Sequence, residues 1–187
     1  GRFEALSTLA TLHFNHPQWV FPSFTEKAFF IEGKEVGHPL IPPARRVNNP
    51  VQLTKAGELL LITGSNMAGK STYLRSIGIN SVLAMAGAPV CASYFRLSPM
   101  RVMSSMRIAD NLEESTSTFY AELKKLRAII ESVNKGEPVF ILLDEILRGT
   151  NSFDRHTGSA ALIKQLIRHK ASGILATHDI ELAKLQE

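Results

Sequence analysis

Leu59-Leu60-Leu61-Ile62-Thr63 runs directly into Gly64-Ser65-Asn66-Met67-Ala68-Gly69-Lys70-Ser71-Thr72. The first five residues form a short apolar run that suits a fully buried parallel strand. The next eight satisfy G-x-x-x-x-G-K-[ST]. After them, Lys70–Met85 reads as a helix whose Leu74, Ile77, Val82 and Met85 are spaced toward a core. Strand, glycine-rich loop and helix in this order make a phosphate cradle. The glycines permit a tight loop with its N–H groups pointing inward, and the helix start adds unpaired N–H groups and the positive end of its dipole. The spacing therefore predicts that Gly64, Ser65, Asn66, Met67, Ala68, Gly69, Lys70, Ser71 and Thr72 wrap the phosphates of ATP or ADP. Lys70 would reach the β- and γ-phosphates, and the Ser71 hydroxyl would ligate Mg²⁺.

Downstream, two more apolar runs end in residues that carry chemistry. Val139–Leu143 reads as a buried strand ending in Asp144-Glu145, and Gly173–Thr177 as another ending at His178. Ligands of parallel α/β sheets gather at the carboxyl ends of the strands. Asp144 would then hold Mg²⁺, and Glu145 would polarise the water that attacks the γ-phosphate. His178 would hydrogen-bond that phosphate or that water; taken alone, a histidine is more often structural. Helices are expected at Glu122–Val133 and Gly158–His169, and Pro89–Arg107 reads as strands of an antiparallel flank. Strands alternating with helices predict an α/β P-loop NTPase, with a mostly parallel sheet covered by helices on both faces.

The first fifty residues read differently. Glu4–Phe14 suits a short amphipathic helix, and Ala28–Gly33 a strand entering a turn. Pro17, Pro22, Pro39, Pro42, Pro43 and Pro50 interrupt regular structure between and after them. Residues 1–36 are read as a lead-in segment and 37–187 as the main domain.

With 187 residues, 44% hydrophobic and 20% charged, the chain has the composition of a soluble globular domain. No apolar run approaches the roughly 18 residues of a membrane span, so no membrane contact is expected from this segment. Gly1–Ala10 shows no secretory leader, and a start at Gly1 suggests a piece of a longer chain. A net charge of +4 permits an anionic partner without showing one. Cys91 is the only cysteine, which excludes a disulfide framework and implies a reducing, cytoplasmic setting. Ser115-Thr116-Ser117-Thr118-Phe119 opens a helix. Its hydroxyls suit ordinary caps, or a helix N-terminus offered to a phosphate held elsewhere.

Taken together, these motifs resemble the ATPase domain of the MutS family of DNA mismatch-recognition proteins, within the ABC-type ATPases. The resemblance rests on Gly64 to Tyr73, on Ser117-Thr118-Phe119, on Leu143-Asp144-Glu145-Ile146-Leu147-Arg148-Gly149-Thr150 and on Ala176-Thr177-His178. His38-Pro39 also matches, and coverage runs from about Gly37 to Leu185. The resemblance implies a head-to-tail homodimer in which Ser117 of one copy completes the site of the other. Asn66 and His178 would sense the γ-phosphate, and DNA would be bound through domains outside this chain.

Departures from the family pattern are specific. Ala68 stands where Gly is usual, Arg155 follows Asp154 where Gly is usual, and Asp179 stands where Tyr or Phe is common. In the stretch Arg45–Pro50, where the family stacks an aromatic residue on adenine, only Arg46 or Val47 is available. Two other readings compete with a MutS-like ATPase. One is a nucleotide-gated dimerisation module, and the other an ABC-type ATPase not devoted to mismatch repair. A transporter ATPase would carry Leu-Ser-Gly-Gly-Gln, which Ser115–Phe119 does not supply.

Overall fold

A computed structural model of the chain describes residues 1–65, 68–106, 115–147, 149–179 and 181–182, with the backbone alone for 115–118. In chain order the elements are α1 (Arg2–Asn15), β1 (Ser23–Phe24), β2 (Ile31–Val36), β3 (Asn49–Leu53), β4 (Leu59–Thr63) and α2 (Lys70–Met85). These are followed by β5 (Tyr94–Leu97), β6 (Arg101–Ser105), α3 (Ser115–Asn134), β7 (Val139–Asp144), α4 (Ser152–Arg168) and β8 (Ser172–Thr177). They fall into two compact units, Gly1–Thr54 with Arg75–Pro99, and Lys55–Leu74 with Met100–Glu187. Among the described residues, no helix is long and apolar enough to cross a membrane.

The first unit holds a sheet of order β1-β5-β2-β3. β2 runs antiparallel to β3 and β5, and β1 parallel to β5. Ile31, Val36, Val51, Leu53, Phe95 and Leu97 are buried. Full burial of each such side chain stabilises the fold by about 2 kcal/mol. Asn80 of α2 is fully buried and fully used. Its amide donates to Gly37 O at 2.9 Å and Ser76 O at 2.8 Å, and its Oδ1 accepts from Cys91 N–H at 2.7 Å. α1 is a helix, as expected, but no residue of it is buried, and Phe3, Leu6 and Phe14 lie open. Leu9, Leu12 and His13 are only half-buried, and the His13 ring lies 5.0 Å from the Phe21 ring.

In the second unit four strands run parallel in the order β4-β8-β7-β6. β7 and β8 are central and buried along their whole length. Side chains alternate across a strand. Val139, Ile141 and Leu143 of β7 therefore share one face, where they cluster with Leu126 and Ile129 of α3 and Leu162, Ile163 and Leu166 of α4. The α/β class with a mostly parallel sheet follows directly.

Three expectations need correction. β4 is not fully buried: it is the outer strand of the described sheet and its residues are half-buried or exposed. Of the flank expected over Pro89–Arg107, only β5 is antiparallel, in the first unit; β6 pairs parallel with β7 and forms the other edge of the second sheet. α4 starts at Ser152, not Gly158, because Asn151 caps it by accepting Asp154 N–H at 2.9 Å. α3 begins at Ser115, within the hydroxyl-rich run expected to open it, so Ser117 lies in its first turn.

Candidate functional site

Strand register assembles the site. Thr63, the last residue of β4, lies opposite Thr177, the last of β8, and Ala176 lies opposite Asp144, the last of β7. The loop from Gly64, the Asp144-Glu145 pair and His178 therefore leave the same end of three adjacent strands. Their separation along the chain is erased by the parallel pairing.

Lys70 opens α2 and is buried at 5% exposure. Its ammonium donates to Gly64 O and, at 2.9 Å, to Ser65 O, and lies 4.0 Å from Glu145 Oε1. Gly69, just before it, has φ +80, and a side chain would be strained there even though the surrounding space is open. Ser65, Ala68, Gly69 and Thr72 are exposed, and Ser71 is half-buried in the first turn of α2. Such a loop, open on one side with a buried cation below it, fits a polyanion. Asn66 and Met67 lie outside the described residues.

Asp144 is 5% exposed, and its Oδ1 is buried without a hydrogen-bond partner among the described residues. A buried carboxylate oxygen in that state is costly, and a bound cation is the natural compensation. A carboxylate oxygen is a hard donor of the kind that suits Mg²⁺.

Glu145 stands between the two basic groups. Its Oε2 is 3.7 Å from His178 Nδ1, opposite the Lys70 approach to Oε1. Its backbone has φ +47, and Leu147 has φ +60, both left-handed and rare outside glycine. Each costs on the order of 1–3 kcal/mol and persists only where neighbours enforce it. Here Glu145 N–H donates to Ala176 O at 2.9 Å, and Leu147 N–H to Glu122 Oε1 of α3 at 2.7 Å. Backbone strain at a buried carboxylate between two bases marks a built site.

Sequence reasoning missed Glu122, and also the link between His156 of α4 and Asp179. His156 Nδ1 lies 2.6 Å from Asp179 Oδ2. That hydrogen bond holds the His156 pKa above its ordinary value, against a smaller opposing effect of burial. Burial pushes Asp179 up, but the His156 hydrogen bond and the N–H groups of Glu181 and Leu182 outweigh it and leave it lowered. The unusual Asp179 was visible in the sequence; its partner, 23 residues away, was not.

The Ser117 side chain is not described. Two residues on, the Phe119 ring fills the space where a Cβ on Gly149 would sit, at 2.7 Å. That close approach explains the glycine after Arg148, a residue outside the described set. Of the residues considered for adenine, Val47 is exposed, and Arg46 Nε donates to Asn48 Oδ1 at 3.2 Å.

A family model described as MutS domain V matches residues 60–187, the span that carries Lys70, Asp144, Glu145 and His178. The chain belongs to the MutS family. MutS protein homolog 4 of Mus musculus is 34% identical over 172 residues, which cover 89% of this chain and 17% of that relative. The chain thus spans about a sixth of the length of the MutS relative it matches.

Proposed function

We propose that this MutS domain V binds ATP with Mg²⁺ and hydrolyses it, as the ATPase part of a DNA-handling protein of the mismatch-repair type. The fold is read as a P-loop NTPase of the ABC type. The observation that carries this reading is the position of Glu145, buried between Lys70 and His178 at the end where three parallel strands terminate.

In this reading Lys70 turns from the Gly64 and Ser65 carbonyls to the β- and γ-phosphates, while the N–H groups from Gly64 to Thr72 wrap them. Ser71 and Asp144 would hold Mg²⁺, which would supply positive charge to the phosphate oxygens when bound. Glu145 orients a water for in-line attack and accepts its proton. His178, half-exposed beside it, hydrogen-bonds the γ-phosphate or that water. Residues 37–187 would act as one ATPase domain behind the lead-in 1–36. Asn66 would sense the γ-phosphate with His178, and the first turn of α3, through Ser117, would complete the site of a second copy, because a helix N-terminus favours phosphate charge. Association would then strengthen with nucleotide.

The test is ATPase rate per chain against protein concentration, with Mg²⁺ present, alongside sedimentation. A specific rate that climbs as dimers form supports composite sites. Bound ATP without turnover at any concentration would overturn hydrolysis and favour a nucleotide-gated association module.

A further inference from the structure

Among the described residues His178 makes one long polar approach of its own, 3.7 Å to Glu145 Oε2, and its side chain is 46% exposed. Its direction must therefore be inherited from the backbone that carries it. The residue after it is held on three sides. Asp179 N–H donates to Thr177 Oγ1 at 3.0 Å, Asp179 Oδ1 accepts Glu181 N–H at 3.0 Å, and Asp179 Oδ2 meets His156 Nδ1 at 2.6 Å. The first two contacts are local to the turn. Only the third anchors it to a separate element, the first half of α4.

We propose that His156 and Asp179 are a positioning pair that sets the His178 ring against Glu145. The proposal rests on the hydrolysis reading for its consequence, but its geometry stands independently. A carboxylate only accepts, so His156 Nδ1 must carry the proton. That requirement selects one tautomer and one ring orientation, and with them one position for the turn. His156 and Asp179 are 40% and 28% exposed, and ion pairs at that exposure contribute little to stability. The pair should therefore be felt in geometry and hardly in folding. The Asp179 carboxylate thus supplies, by hydrogen bonding, a hold on α4.

His156→Ala in the full chain should lower kcat about tenfold to a hundredfold with KM for MgATP and Tm nearly unchanged, the scale expected when a reacting group is misplaced by about 1 Å. Asn places an amide N–H close to where histidine has Nδ1, so His156→Asn should restore most of kcat. In a His178→Ala background, His156→Ala should have no further effect, since the pair acts through that ring. Equal losses in both backgrounds, or kcat falling only in step with Tm, would overturn the proposal. NMR of labelled histidine gives a readout without turnover. The His178 ring signals should move in His156→Ala and Asp179→Asn and return toward wild type in His156→Asn; signals that stay in place in all three overturn the pair. If the wild-type chain bound ATP without hydrolysing it, the hydrolysis reading would fail while the ring signals still decided the positioning.

Discussion

Asn80 and Asp144 are both buried polar side chains, one in each unit, and their surroundings treat them in opposite ways. Asn80 spends both ends of its amide on three hydrogen bonds, tying α2 to the end of β2 and to Cys91. Asp144 keeps a buried oxygen without a partner among the described residues, and the next residue, Glu145, sits in left-handed backbone between two bases. A satisfied network contributes stability; a half-satisfied, strained one lowers it and persists where a ligand or a reaction completes it. Burial alone does not separate the two cases. Hydrogen-bond accounting does.

Substitutions can break this contrast from either side. The largest effect is expected at the strained end. Lys70→Ala should abolish nucleotide binding in a titration with a fluorescent ATP analogue. Glu145→Ala should retain binding and lose turnover by about 10²–10⁴-fold, the usual share of a general base. Each substitution removes one side of the buried Lys70–Glu145 pair and leaves the other charge buried with less compensation, so both should also lower Tm, and binding and turnover are read on the protein that remains folded. A Glu145 variant hydrolysing ATP at the wild-type rate would remove that residue from the mechanism.

Asn80→Ala should lower stability alone. It leaves Cys91 N–H and the Gly37 carbonyl buried without partners, so a loss of about 3 kcal/mol in urea unfolding is expected. The protein that remains folded should turn over ATP at the wild-type rate.

Glu122→Ala sharpens the comparison, since Glu122 compensates strain instead of satisfying a core. Losing its bond to Leu147 N–H should cost about 1 kcal/mol and reduce kcat severalfold, while Glu122→Gln, which keeps an acceptor, should preserve both. Equal kcat in the alanine and glutamine variants would show that the turn holds itself.

The smallest effect is pH-dependent stability from the His156–Asp179 pair. The His156 pKa is raised, so its contribution is complete below the ordinary value of 6.5 and is lost as pH rises through the raised value. The Asp179 pKa is lowered, so its contribution is complete above the ordinary 3.8 and is lost as pH falls through the lowered value. The Tm difference between wild type and Asp179→Asn should be greatest between those ordinary values and shrink on either side.

Much of the second unit was legible because its signals are contiguous. A buried parallel strand needs an unbroken apolar run, and Val139–Leu143 and Gly173–Thr177 supply one each, ending in Asp144-Glu145 and His178. α2 spans Lys70–Met85 as its spacing predicts, but of the four residues expected to face a core only Leu74 and Ile77 are buried, while Val82 and Met85 are exposed. α4 begins at Ser152 instead of Gly158, because the Asn151 cap lies seven residues before that glycine. β6 was assigned to an antiparallel flank because alternation reports a half-buried strand and says nothing of its partner.

By itself, then, the sequence determined the glycine-rich loop after β4, the strand-end acids and histidine, and the likeness to the MutS family, because each is written in short runs of adjacent residues. Only the tertiary structure decided that β4 is an edge and that Arg101–Ser105 joins the parallel sheet. It alone decided that Glu122 braces Leu147 across 25 residues and that His156 meets Asp179 across 23. Those pairings depend on where hydrogen-bond donors and acceptors fall once strands are in register, and no local pattern encodes a register between distant segments.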